Sequence, residues 1–184
     1  MARSDFERFV QRKKDEESVS AAFDPKQQLE EWRQHLNALY ADVAKFLKPY
    51  IDGGTARIEF RPIDLNEEFS GPYSVQELLI HFGNSTITFR PIGTMLIGSK
   101  GRVDVHGPRG IVRLTLINKR ITHASQLIQV RAMIQGQPDP DPKPQPAPAK
   151  IEWVWKISSP PPQMTFTDLT EDAFFDLILS VADA

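Results

Sequence analysis

Residues 102–118 read RVDVHGPRGIVRLTLIN, and their alternation decides the fold. Val103 and Val105 fall on one side of an extended chain, with Arg102, Asp104 and His106 on the other. After a turn at Gly107-Pro108-Arg109-Gly110, Val112, Leu114 and Leu116 alternate with Arg113 and Thr115. A period of two marks a half-buried strand, because successive side chains point to opposite faces. Two such runs joined by a tight turn, with no helix between them, pair antiparallel.

The same signal extends in both directions. Towards the N-terminus, STITFR (85–90) alternates, and Gly83-Asn84 before it is a two-residue hairpin signal. YSVQELLIHF (73–82) sets Leu78, Ile80 and Phe82 on one side, and ARIEFR (56–61) alternates as well. A short apolar piece, MLI (95–97), precedes the turn Gly98-Ser99-Lys100-Gly101. Towards the C-terminus, QLIQVRAMI (126–134) alternates, and IEWVWKI (151–157) puts Trp153, Trp155 and Ile157 on one face. Short strands joined by short turns predict a twisted antiparallel meander of about six to eight strands.

Helices are expected at both ends of the meander. Asp24-Pro25 supplies an N-cap and a proline at the first helical position. Leu29, Trp32, Leu36, Leu39, Val43, Phe46 and Tyr50 then recur at alternating steps of three and four, one apolar stripe on a helix of about six turns. Pro49 and Gly53-Gly54 are read as its end. The 29–50 stripe could also be the seam of a homodimer, but Trp and Tyr suit a globular core better than knobs-into-holes packing. At the other end, Thr170 is an N-cap, Glu171 and Asp172 suit the positive helix end, and Phe174, Leu177, Ile178 and Val181 form a stripe. The fold class is α+β: a long N-terminal helix, the meander and a C-terminal helix.

Residues 1–23 are dense in charge and read as an arm or short helix, with Ser4 and Glu7 spaced as a capping box. Residues 135–150, QGQPDPDPKPQPAPAK, place proline at six alternate positions from Pro138 to Pro148. Such a segment is extended, spanning roughly 40 Å. Only 34 residues follow it, too few for a separate core, so 24–184 is expected to be a single domain with a Pro-rich surface loop. No flanking basic anchor makes that loop a ligand for an SH3-like module.

Composition sets the broad class. Hydrophobic residues make up 40% of the chain and cysteine is absent, which removes disulfides, thiolate metal sites and Cys nucleophiles. No apolar run approaches the roughly 18 to 20 residues that span a bilayer, and the N-terminus lacks a signal-peptide core. A cytoplasmic protein without membrane contact is the expectation. The whole-chain charge of −2 conceals a segregation: residues 1–82, 83–137, 138–150 and 151–184 carry −4, +7, 0 and −5. A field of one sign on one element attracts partners of the other.

Three motifs invite chemistry and carry little of it. Gly93–Gly101 looks like a phosphate-binding loop with its last residues exchanged, but a strand follows where a helix is needed, and Lys100 is out of register. Asp104 and His106 share a strand face and could offer two metal ligands, with the third missing, so no metal and no cofactor is expected. The four histidines, His35, His81, His106 and His123, and the acidic run Asp64, Glu67 and Glu68 show no nucleophile elbow or metalloprotease spacing. A hydrolase-type enzyme with a hidden pocket is therefore the third reading, behind two kinds of binding.

Those two readings rest on the basic block. The strand period places Arg90, Arg102, His106, Arg113 and Arg131 on the polar side of the sheet, opposite Phe89, Val103, Val105, Leu114 and Val130. The leading expectation is a non-catalytic interaction module that binds an acidic protein surface through this face, or acts through the long helix. Nucleic acid or a phosphorylated ligand is the alternative, weakened by the lack of stacking aromatics on the face and by a pI near 6.1. The plain competitor to both is that the chain's own acidic segments, or water, neutralise the face.

Overall fold

The computed structural model describes residues 6–7, 24–68, 70–94, 98–126 and 151–182. The first long helix, α1 (Pro25–Asp52), begins as its cap dictates: the Asp24 carboxylate accepts from the backbone N–H of Lys26 at 2.9 Å and of Gln27 at 3.4 Å. It spans 28 residues and runs through Pro49, instead of ending there. A proline forfeits its own N–H bond without preventing later ones, and the helix closes at Gly53, whose N–H reaches the Pro49 carbonyl at 3.0 Å.

Seven strands follow in one sheet: β1 (Arg57–Glu67), β2 (Gly71–Phe82), β3 (Ser85–Gly93), β4 (Gly101–Gly107), β5 (Gly110–Asn118), β6 (Trp153–Ser158) and β7 (Phe166–Asp168). Their spatial order is their sequence order, and every pair is antiparallel. This is the expected meander. Both two-residue turns fix their registers: Phe82 pairs with Ser85 around Gly83-Asn84, and Gly107 with Gly110 around Pro108-Arg109. The three-residue β7 has too little alternation to be read from sequence. The expected strand at 126–134 and the Pro-rich 135–150 lie outside the described residues, apart from Gln126, which closes a helical turn.

The second helix, α2 (Glu171–Val181), starts at Thr170, whose hydroxyl accepts from the Ala173 N–H at 3.2 Å. Both helices pack on the same side of the sheet. Trp32, Leu36, Leu39, Val43, Phe174, Leu177, Ile178 and Val181 share one buried cluster with Leu78, Ile80, Ile87, Phe89, Val103, Val105 and Leu114. The α1 stripe is thus spent on the chain's own core. Rings carry much of the contact: Phe174 lies 5.3 Å from Phe46 and 6.3 Å from Phe89, and Trp32 lies 6.0 Å from Trp155. The Trp155 Nε1 donates to the His35 carbonyl at 3.0 Å, which fixes α1 over β6.

Along β2 the buried side changes. Tyr73 and Val75 reach the helices from one side of the strand, and Leu78 and Ile80 from the other. Beyond Leu78 the ladder with β3 has ended and β2 pairs with β1 alone. A two-stranded ribbon twists more than a full sheet, and that twist lets both sides meet α1. On the opposite side of the sheet, a second small cluster of Ile117, Ile121 and Phe166 covers the β5–β7 end.

Candidate binding face of the sheet

The strand register assembles the polar face. Arg90 pairs with Asp104, Asp104 with Arg113, and Arg113 with Ser158, so these residues form one row across β3 to β6. In the next row, Arg102 pairs with Thr115 and Thr115 with Lys156. On the other flank, Thr88 pairs with His106. Arg90, Arg102, His106 and Arg113 therefore share one face, as alternation required. Arg131, the fifth expected member, lies outside the described residues.

The charges are arranged as bases around buried acids. Asp104 is 7% exposed. The Arg102 guanidinium grips it in a fork, Nε to Oδ1 at 2.7 Å and Nη2 to Oδ2 at 2.6 Å. A bidentate charge-assisted pair of this kind satisfies both partners. Arg102 is consequently a positioning group for Asp104 and not a free cation. Arg90 and Arg113 stand on either side, exposed, and among the described residues neither has a carboxylate within ion-pair distance. Two strand spacings separate their backbones by about 10 Å.

The row continues towards the sheet edge. Glu77 and Arg90 are the next residues beyond the last β2–β3 pair, Leu78 with Phe89, and Glu77 pairs with Arg61 on β1. Glu77 is 2% exposed, and Arg61 Nε donates to its Oε1 at 2.6 Å. Arg61 and Glu77 thus form an ion pair on β1 and β2 just beyond the end of the β2–β3 ladder, and Arg90, Asp104 and Arg113 alternate in sign across β3 to β5. Glu77 and Arg61 escape a reading by period alone, which assigns them only to a solvent side. Counting outward from the Gly83-Asn84 turn would have set Glu77 beside Arg90. Two exposed apolar residues share the face too: Ile92, two along from Arg90, and Ile111, two along from Arg113.

Among the described residues the two helices do not screen this face. Both helices stand on the opposite side of the sheet, because their apolar stripes need the apolar strand face. Within the row itself the described acidic group is Asp104, held by Arg102. Elsewhere the fold disperses the basic block: Lys100 Nζ donates to Glu31 at 2.6 Å and stands 5.1 Å over the Trp153 ring, and Lys119 pairs with Glu152 at 3.0 Å. The Lys100 ammonium holds the Glu31 carboxyl below the usual range. Burial, aided by Lys100, holds His35 below the usual imidazole value.

The other motifs resolve into structure. Lys100 is committed to Glu31, and β4 follows it where a phosphate loop needs a helix. Asp104 shares a face with His106, but its oxygens are taken by Arg102. Among the described residues no group of three or more His, Asp or Glu could hold a metal. The acidic run is split: Asp64 accepts from the Ser74 hydroxyl, and Glu67 accepts from Tyr73 Oη at 2.7 Å and from Thr94 Oγ1 at 2.6 Å. Burial and Glu67 push the Tyr73 phenol above its usual range. His81 shares hydrogen bonds with Thr86 at 3.0 Å and Glu59 at 3.1 Å. Three clefts of about 170, 330 and 340 Å³ lie against α1 or α2, and neither His81, His106 nor the acidic run lines them. No described helix is long and apolar enough to cross a membrane.

No protein-family model, curated protein or solved structure matches this chain.

Proposed function

We propose that the chain is a non-catalytic binding module that takes an acidic protein surface on its polar sheet face, with Arg90 and Arg113 as the contact residues. One observation carries this: two exposed arginines, unpaired among the described residues, flank a buried aspartate whose charge Arg102 already neutralises. The three guanidinium groups of Arg90, Arg102 and Arg113 surround one carboxylate, Asp104, which pairs with Arg102 alone, leaving a local excess of positive charge. Rigid strands hold that excess in place, so a partner loses little by ordering it. His106 and Thr88, half-buried on the flank of the arginine row away from Arg102, add hydrogen-bonding groups. Single-stranded nucleic acid is disfavoured because, among the described residues, the open part of the face around Arg90 and Arg113 offers no Phe, Tyr or Trp for base stacking.

The test is retention of the full chain on immobilised polyglutamate against salt, beside a gel shift with single-stranded RNA. Wild type is expected to be retained at low salt and released as salt rises, with R90E/R113E eluting in the flow-through while keeping its circular dichroism spectrum. Equal retention of wild type and R90E/R113E would sink the reading. An RNA shift that depends on the same two arginines would replace the acidic protein with nucleic acid.

A further inference from the structure

The acidic and basic surfaces of the chain fit one another, and they lie on opposite sides of the molecule. α2 carries Glu171, Asp172 and Asp176 and no basic residue, whereas α1 carries four of each sign. With Phe174, Leu177, Ile178 and Val181 turned to the core, the outward side of α2 shows Asp172, Phe175, Asp176 and Leu179. These positions are three and four apart and form one surface patch. It is acidic and also apolar: Leu179 is 69% exposed, and the half-buried Phe175 meets the edge of the exposed Tyr50 at 5.9 Å.

The sheet face offers the matching chemistry. Arg90 and Arg113 face outward, with Ile92 (40% exposed) and Ile111 (57% exposed) beside them. A helix presenting two carboxylates and two apolar side chains would meet two guanidinium groups and two isoleucines. Carboxylates one helical turn apart lie about 5 to 6 Å from each other, and long arginine arms converge on that spacing from strands about 10 Å apart.

We propose that the acidic partner is a second copy of this chain, whose α2 docks on the Arg90–Arg113 face. This rests on the reading of the face given above and names its occupant. The two surfaces differ, so the contact is head-to-tail: each copy keeps a free face at one end and a free helix at the other, and assembly grows unless the rotation closes a ring. Exposed charges set the association, so it is strong at low ionic strength and weak at high.

Sedimentation of the full chain at about 0.02 M and about 0.5 M salt tests this, since the Debye length falls severalfold between them. Wild type is expected to show mass rising with concentration at low salt and to return to monomer at high salt. R90E/R113E and D172K/D176K, each alone, should weaken association on the order of a hundredfold. Mixed in equal amounts they should associate again, because the reversed face of one meets the reversed helix of the other, and the unchanged helix of the first meets the unchanged face of the second. That recovery also shows both variants folded, and D176K alone serves as the milder form. Wild type that stays monomeric at low salt overturns the proposal, as does a mixture that fails to recover. If such a monomer still binds polyglutamate through Arg90 and Arg113, the face remains a binding site and only its occupant is wrong.

Discussion

At the scale of single residues, the polar face separates arginines that build it from arginines that are free to act. Arg102 is three-quarters buried over a buried carboxylate, so removing its guanidinium leaves the Asp104 charge without a partner. Breaking such a pair from one side costs far more than the pair is worth intact, because the remaining charge is stranded out of water. Arg102→Ala is expected to destabilise the chain by about 3 kcal/mol in urea unfolding. Arg113→Ala, at an exposed and unpaired position, should change stability by under about 0.5 kcal/mol. Similar costs for the two would mean that the Arg102–Asp104 fork does not hold the face together. Lys156 is the buried cation, 2% exposed, and its ammonium is fully used: it donates to the Lys119 and Ile121 carbonyls at 2.8 and 2.9 Å and meets Asp168 at 3.0 Å. Lys156→Met keeps the stem but leaves two carbonyls unmatched, a loss of about 2 to 3 kcal/mol. Amide exchange of Ala124, bonded to the Met164 carbonyl, should speed up with it, since the clamp holds that segment on the sheet.

Between elements, the closest approach of helix to sheet depends on a missing side chain. At Gly101, the first residue of β4, a Cβ would overlap the Trp32 ring, so the α1 stripe sits at a depth only glycine permits there. Trp32 is 1% exposed and packed beside Trp155, so it has no free direction in which to yield. Gly101→Ala is expected to cost about 2 to 3 kcal/mol through overpacking, although alanine is a small residue with no backbone objection. A Trp32→Leu change in the same chain should recover part of that loss, and a double-mutant cycle with no coupling between the sites would show that the contact is not the cause. β1 manages its open edge differently: Pro62 lies mid-strand among Arg57, Glu59, Arg61 and Asp64, a composition that discourages further strand pairing.

Over the whole molecule, charge that is segregated along the chain becomes partly mixed in space. The meander was legible because Gly83-Asn84 and Pro108-Arg109 leave no room for a helix, and the two stripes with their Asp24 and Thr170 caps were legible as helices. Less was visible where an effect needed two elements at once. The burial of Glu77 depends on the register with β1, the twist that turns Tyr73 inward depends on where β3 stops pairing, and β7 is too short to show a period. The site was half legible in the same sense: Arg90, Arg102 and Arg113 were placed on one face, but the capture of Arg102 by Asp104 two residues along its own strand is a matter of rotamers that spacing does not fix. Lys100 shows the spatial mixing best, since it joins the basic stretch to the acidic N-terminal one through Glu31 and also bears on His35. Both groups are depressed in the folded chain, Glu31 chiefly by its hydrogen bond to Lys100 and His35 chiefly by burial with Lys100 next. A depressed group takes up its proton more readily when unfolded, so each contributes stability that is present above its unfolded value and lost as pH falls. For His35 the loss begins as pH drops through the model-peptide value of 6.5, and for Glu31 as it drops through 4.5. Lys100→Met removes the main cause of the second depression and part of the first. The melting temperature of wild type should therefore fall on acidification from neutral pH, and that of Lys100→Met should fall less steeply over the same range, although the variant is less stable at neutral pH. Parallel curves for the two proteins would mean that Lys100 does not couple the basic stretch to α1.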